Sequence, residues 1–180
     1  MNPLIHFGRN LLTIGILIAA LAGYAIAQTP AATLDQAQKL LNTGKKAEAL
    51  ATVNQYLQAK PNDAQVRFFK GVVLTESGQA EEAIKLYTEL IRDYPELPEP
   101  YNNLAVLYSA QNQPDLAKSA LEAALRNHPG YATAHENLGD VYLQLARRSY
   151  AKAIELAPEK SSIVKSKLLR TEAALNSTAK

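Results

Sequence analysis

Apolar positions along this chain recur at one fixed interval. Leu40, Leu74, Tyr108 and Tyr142 lie 34 residues apart, and so do Ala37, Gly71, Ala105 and Gly139. Ala49, Ala83 and Ala117 keep the same interval, as do Pro61, Pro95 and Pro129 and the series Gly44, Gly78 and Asn112. Five columns in one register mark an internal repeat, whose units each leave an apolar face for the next unit to cover. The last unit breaks the interval, because Pro129 to Pro158 is 29 residues. Between Val141 and Ala157 there is no Gly, Pro, Asn or Asp to stop a helix. Leu138, Tyr142, Leu145, Ser149, Tyr150, Ala153 and Ile154 keep nearly one helical stripe. One continuous helix over about 132–157 is therefore expected, with a strained tight turn near residues 145–148 as the alternative. The segment SSIVKSKLLRTEAALNS carries Ile163, Val164, Leu168, Ala174 and Leu175 in an amphipathic pattern and predicts a closing helix near 160–175.

The segment YNNLAVLYSAQNQPDLAKSALEAALRNHP (residues 101–129) resembles a tetratricopeptide repeat (TPR). Tyr101, Leu104, Ala105, Tyr108, Ala117, Leu121, Ala124 and Pro129 occupy that family's pattern positions, and the resemblance covers about residues 31–158. It implies an all-α, right-handed solenoid of helical hairpins. Here the fourth repeat is fused into one long helix, and a capping helix closes the C-terminus. Helices are expected near 32–43, 46–59, 63–76, 80–93, 98–111 and 114–127. Small residues at Gly71, Ala105 and Gly139 let the two helices of a unit approach closely. Tyr87, Tyr108, Leu121 and Tyr142 are expected to fill the space between units. Proline closes each unit because it has no N–H and disfavours helix at the residue before it.

The division expected is residues 28–63 for a degenerate first repeat, 64–97 and 98–131 for the second and third, 132–158 for the shortened fourth, and 159–180 for the closing helix and tail. The first repeat has Gln36 where Leu is expected and Tyr56 where Ala is expected, as terminal repeats often do. A fused helix cannot fold back on itself. Its second half must pack either on the closing helix or on a second copy of the chain, and exchange of that face would make a homodimer.

Residues 1–27 read as a signal peptide. Arg9 is followed by an apolar run from Leu11 to Ala22, and Ala25-Ile26-Ala27 fits the small-x-small cleavage pattern, with Gln28 as the new terminus. The alternative is an uncleaved membrane anchor, although the run is short of the roughly 20 residues a spanning helix needs. The expected location is periplasmic or exported, or inner-membrane anchored facing the periplasm if the segment is retained. Cleavage leaves 18 basic and 17 acidic residues, a net of +1, too little to argue for nucleic acid. Cysteine is absent, so there is neither a disulfide framework nor a thiolate nucleophile or metal site.

Nothing in the chain selects a catalytic constellation. It has no G-x-S-x-G, Walker loop, G-x-G-x-x-G or H-E-x-x-H. His6 belongs to the leader, His128 sits at a helix end where a cation suits the dipole, and His135 replaces the aromatic of a first helix. The chain is read as a non-enzyme with no cofactor, no metal and no catalytic residue. The resemblance implies instead a partner-binding groove lined by the first helix of each unit. Carried over, its positions are Phe68, Val72, Thr75 and Glu76 from the second repeat and Asn102, Asn103, Val106, Ser109 and Ala110 from the third. Glu136, Asn137, Asp140 and Leu143 come from the fourth. Leu34, Gln38 and Leu41 extend the groove into the first repeat. Asparagine amides can bond an extended peptide backbone as donor and acceptor, or they are only helix-surface polars. The acidic end suits a basic or apolar peptide. The expected partner is a protein or peptide of the bacterial cell envelope, in a scaffold role. The alternative is a structural homodimer built on the fused helix. Membrane contact is expected only through an uncleaved leader.

Overall fold

The computed structural model describes residues 29–178 as eight α-helices and one short 3-10 turn. The leader and its cleavage site before Gln28 lie outside the described residues. The helices are α1 (Pro30–Asn42), α2 (Lys46–Ala59), α3 (Ala64–Glu76), α4 (Ala80–Asp93), α5 (Pro98–Ala110), α6 (Pro114–Asn127), α7 (Ala132–Leu156) and α8 (Ser162–Thr178). The 3-10 turn Pro158–Lys160 separates the last two. The first six form three antiparallel hairpins within two residues of the expected bounds.

Local chemistry sets the helix ends. Thr29 caps α1, its Oγ1 accepting from the Ala32 N–H, and Asp63 caps α3 by accepting from the Val66 N–H at 3.1 Å. Pro30, Pro98 and Pro114 sit in the first turn of their helices, where the missing N–H costs nothing. The column Gly44, Gly78 and Asn112 occupies the turn inside each hairpin with φ of 76°, 74° and 56°. This is left-handed backbone that glycine and asparagine accept most readily.

The core is three clusters, one per hairpin. Ala37, Ala49 and Val53 centre the first, Tyr87 and Leu90 the second, and Ala117, Leu121 and Ala124 the third. All of these are fully buried. Arg67, 9% exposed, reaches from α3 to Asp93 at the end of α4 at 2.9 Å. Hydrogen bonds from Arg92 and then Arg67 hold the Asp93 carboxyl below the usual carboxylate range.

The fourth unit departs from this plan as its spacing predicts. α7 is one continuous helix of 25 residues. Its first half joins the third cluster through Ala134, Leu138, Val141 and Leu145. Arg148 pairs with Asp115 at the start of α6 through contacts of 2.6 and 2.9 Å. α8 returns along α7 after a turn in which the Ser161 hydroxyl donates to the Pro158 carbonyl at 2.6 Å. Tyr142 corrects an expectation: it fills no space between units and is 49% exposed. Its counterpart Tyr108 packs against both the second and third clusters. In a complete unit the second helix folds back over this position, and a fused helix supplies nothing there.

Candidate functional site

The first helices of successive hairpins stand side by side, with α1 touching α3 and α5 touching α7. Each junction leaves a hollow. The first, about 410 Å³, is lined by Leu34, Asp35 and Gln38 of α1 and Gln65, Phe68 and Phe69 of α3. The second, about 280 Å³, is lined by Val106 and Ser109 of α5, Asn137, Asp140 and Gln144 of α7, and Leu175 of α8 over a floor of Ala105 and Leu121. Four of the expected groove residues, Val106, Ser109, Asn137 and Asp140, therefore meet around one hollow, and Phe68 lines the other.

The remaining candidates are placed differently. Thr75 is half-buried, and its Oγ1 donates to the Gly71 carbonyl at 2.9 Å. Val72 is half-buried and lines neither hollow. Glu76 is exposed, and its backbone carbonyl accepts from Lys46 Nζ. Glu136 is exposed. Asn102 is buried, and its Oδ1 accepts from Asn137 Nδ2 at 2.8 Å, tying the third unit to the fourth. Asn103 donates through Nδ2 to the Tyr87 hydroxyl at 2.9 Å, tying the third unit to the second. Burial pushes the Tyr87 hydroxyl above its ordinary range, against the hydrogen bonds of Asn103 and Thr75. These amides bind repeat to repeat, and much of their capacity is already used.

Sequence reasoning missed Leu175, Gln144, Gln65, Phe69 and Asp35 as groove residues. The amphipathic stripe of the last segment announced a closing helix but not where its end would land. A separate hollow of about 530 Å³ lies between α7, α8 and the start of α6. Its charged side chains are largely matched, Arg148 with Asp115 and Lys152 with Glu155. Among the described residues no cluster of His, Asp or Glu could hold a metal ion. No described helix is long and apolar enough to cross a membrane.

Two models described as tetratricopeptide repeat match this chain, over residues 34–98 and 74–135, and together they span more than half of it. The chain belongs to the tetratricopeptide repeat family. This TPR protein is 28% identical over 133 residues to the human protein O-mannosyl-transferase TMTC1, a match covering 67% of the chain and 15% of the relative. It is 31% identical over 88 residues to a probable biofilm formation methyltransferase, WspC, of Pseudomonas putida, covering 49% and 21%. The chain thus spans less than a quarter of the length of either relative.

Solved structures share the fold. A thermophilic TPR protein of Thermus thermophilus superposes with a TM-score of 0.59 at 19% identity, covering 90% of this chain and 97% of that one. A TPR protein from Parabacteroides merdae gives 0.61 at 18%, covering 92% and 67%. YrrB, described as a TPR protein with an unusual peptide-binding site, gives 0.56 at 20%, covering 64% and 59%. The fold is that of a protein–protein interaction scaffold, which groups a few side chains from adjacent helices on one surface.

Proposed function

We propose that this TPR protein is an exported, non-catalytic scaffold that holds a peptide or helix of an envelope protein against the face formed by α1, α3, α5 and α7. The observation that carries the reading is the hollow between α5 and α7. Its fourth wall is Leu175, an apolar side chain delivered by a helix of the chain itself. A surface that seats one amphipathic helix end has the shape and apolarity to seat another. Val106, 46% exposed, is the apolar contact open at this site, and Asp140 beside it with Glu136 favours a basic or apolar ligand. The peptide-binding site described for YrrB is a precedent on the same fold. The Arg9 end, the apolar run and the Ala25-Ile26-Ala27 site support export.

Crosslinking capture from intact cells with tagged full-length protein tests the groove. An envelope protein is expected with the parent and is expected to fall at least about tenfold with Val106→Glu, since a carboxylate covered there by the partner must be desolvated. Equal capture by both proteins would remove the groove from the account. Intact mass of the same preparation reads the leader: a chain beginning at Gln28 is expected. The full-length mass would instead make the protein an anchored one.

A further inference from the structure

The two halves of α7 each lack what the other supplies. Residues 145–158, LARRSYAKAIELAP, align without a gap to the second helix of the third unit, residues 116–129, LAKSALEAALRNHP. The five residues missing between Gln144 and Leu145 are the counterparts of residues 111–115. Ala117, Leu121 and Ala124 are fully buried, whereas their counterparts Ala146 and Tyr150 are half-buried and Ala153 is exposed. The first half of α7 shows the complementary gap. A Cβ added at Gly71 would meet Tyr87 Cε1 at 2.4 Å, but a Cβ at Gly139, in the same column, would meet nothing within 4 Å. The residue standing where Tyr87 stands is Tyr150. It lies about 16 Å further along the same straight helix and cannot reach Gly139.

We propose that a second copy of this chain fills the slot. Two α7 helices pack antiparallel, so that residues 146–157 of each copy cover residues 132–145 of the other. Carrying the Gly71–Tyr87 register over sets Gly139 of one copy against Tyr150 of the second, twice by two-fold symmetry. The seam Gly139, Tyr142, Ala146, Ser149, Ala153 and Leu156 has the alternating three- and four-residue spacing of a helix pair. Its small residues permit close approach. α8 lies along α7 near Gln144, Arg147 and Ala151, and its Lys167 Nζ stands 5.9 Å from the centroid of the half-buried Tyr150 ring, so Tyr150 stands between α8 and the second copy. Removing a hinge turn makes closure within one chain impossible and leaves closure between chains, the route of domain exchange. The groove reading and this one use different faces, and neither depends on the other.

The chain has no cysteine, so thiols can be placed at will. In full-length protein carrying both Glu136→Cys and Ala153→Cys, the two thiols lie about 25 Å apart along one α7. A short bismaleimide can join them only between copies. A covalent dimer is expected as the main product in intact cells. Light scattering of purified full-length protein is expected to give a dimer. Gly139→Leu and, separately, Ser149→Arg are each expected to give a monomer with the melting temperature kept or raised, because both sites are open in the single chain. A monomeric parent with no crosslink would overturn the proposal. So would a dimer that survives both substitutions, since its interface would lie elsewhere.

Discussion

Gly71→Ala is expected to destabilise the protein by about 1–3 kcal/mol, although alanine is the better helix former by about 1 kcal/mol. The added Cβ would sit 2.4, 2.6 and 2.9 Å from Cε1, Cζ and the hydroxyl oxygen of Tyr87. That ring is fully buried in the second cluster and cannot swing aside. Moving it would also break the bond its hydroxyl accepts from Asn103, which joins the second unit to the third. Gly139→Ala, in the same column, is expected to act with the opposite sign at protein concentrations low enough to keep copies apart, stabilising by up to about 1 kcal/mol, because its Cβ enters open space in the single chain. The third unit solves the same contact with Ala105 and Leu121. Gly71→Ala combined with Tyr87→Leu should therefore cost less than the two changes summed, with a coupling of about 1 kcal/mol or more in a double-mutant cycle. Urea denaturation curves of the four variants decide it. Midpoints moving in the same direction for Gly71→Ala and Gly139→Ala would show that Tyr87 does not set the cost.

That pair of glycines also shows how far the sequence could be read. The repeat interval reports contacts between elements that every unit makes. The hairpins, the turn column Gly44–Gly78–Asn112 and the closing prolines were legible for this reason. The fused helix was legible from the shortened interval together with the absence of any breaker. What the interval hides is the unit that does not obey it. By its column Tyr142 belongs between units, but burial comes from the neighbour, and the neighbouring helix is not folded back. The groove was legible as a face and only in part as residues. Val106, Ser109, Asn137 and Asp140 meet because α5 touches α7. Asn102 and Asn103 share that face but turn inward to Asn137 and Tyr87. That choice depends on helix separation and rotamer, which periodicity does not encode. Leu175 was out of reach because its position depends on how α8 leaves the Pro158 turn.

Inserting a copy of residues 111–115, Gln-Asn-Gln-Pro-Asp, between Gln144 and Leu145 is expected to turn the last unit into a complete hairpin and to raise stability. The inserted segment restores the left-handed turn position that Asn112 occupies with φ of 56° and puts a proline in the first turn of the new helix, as Pro114 is in α6. Residues 146–157 could then fold over Gly139 and Tyr142. Tyr150 would enter the slot, and Ala146 and Ala153 would take the burial of Ala117 and Ala124. Tyr142 is 49% exposed and Tyr150 half-buried, so covering what remains open is worth about 1–1.5 kcal/mol each. The expected outcome is a melting temperature higher by a few degrees. The measurement is a circular dichroism melt at low protein concentration, where association contributes least, together with near-ultraviolet spectra that report tyrosine burial. A lower melting temperature with unchanged tyrosine signals would mean that residues 146–157 have lost the ability to act as a second helix. Their likeness to residues 117–128 would then be a relic without packing consequence. A higher one would mean that α7 still holds both partners of a hairpin and that only its missing turn keeps them apart within one chain.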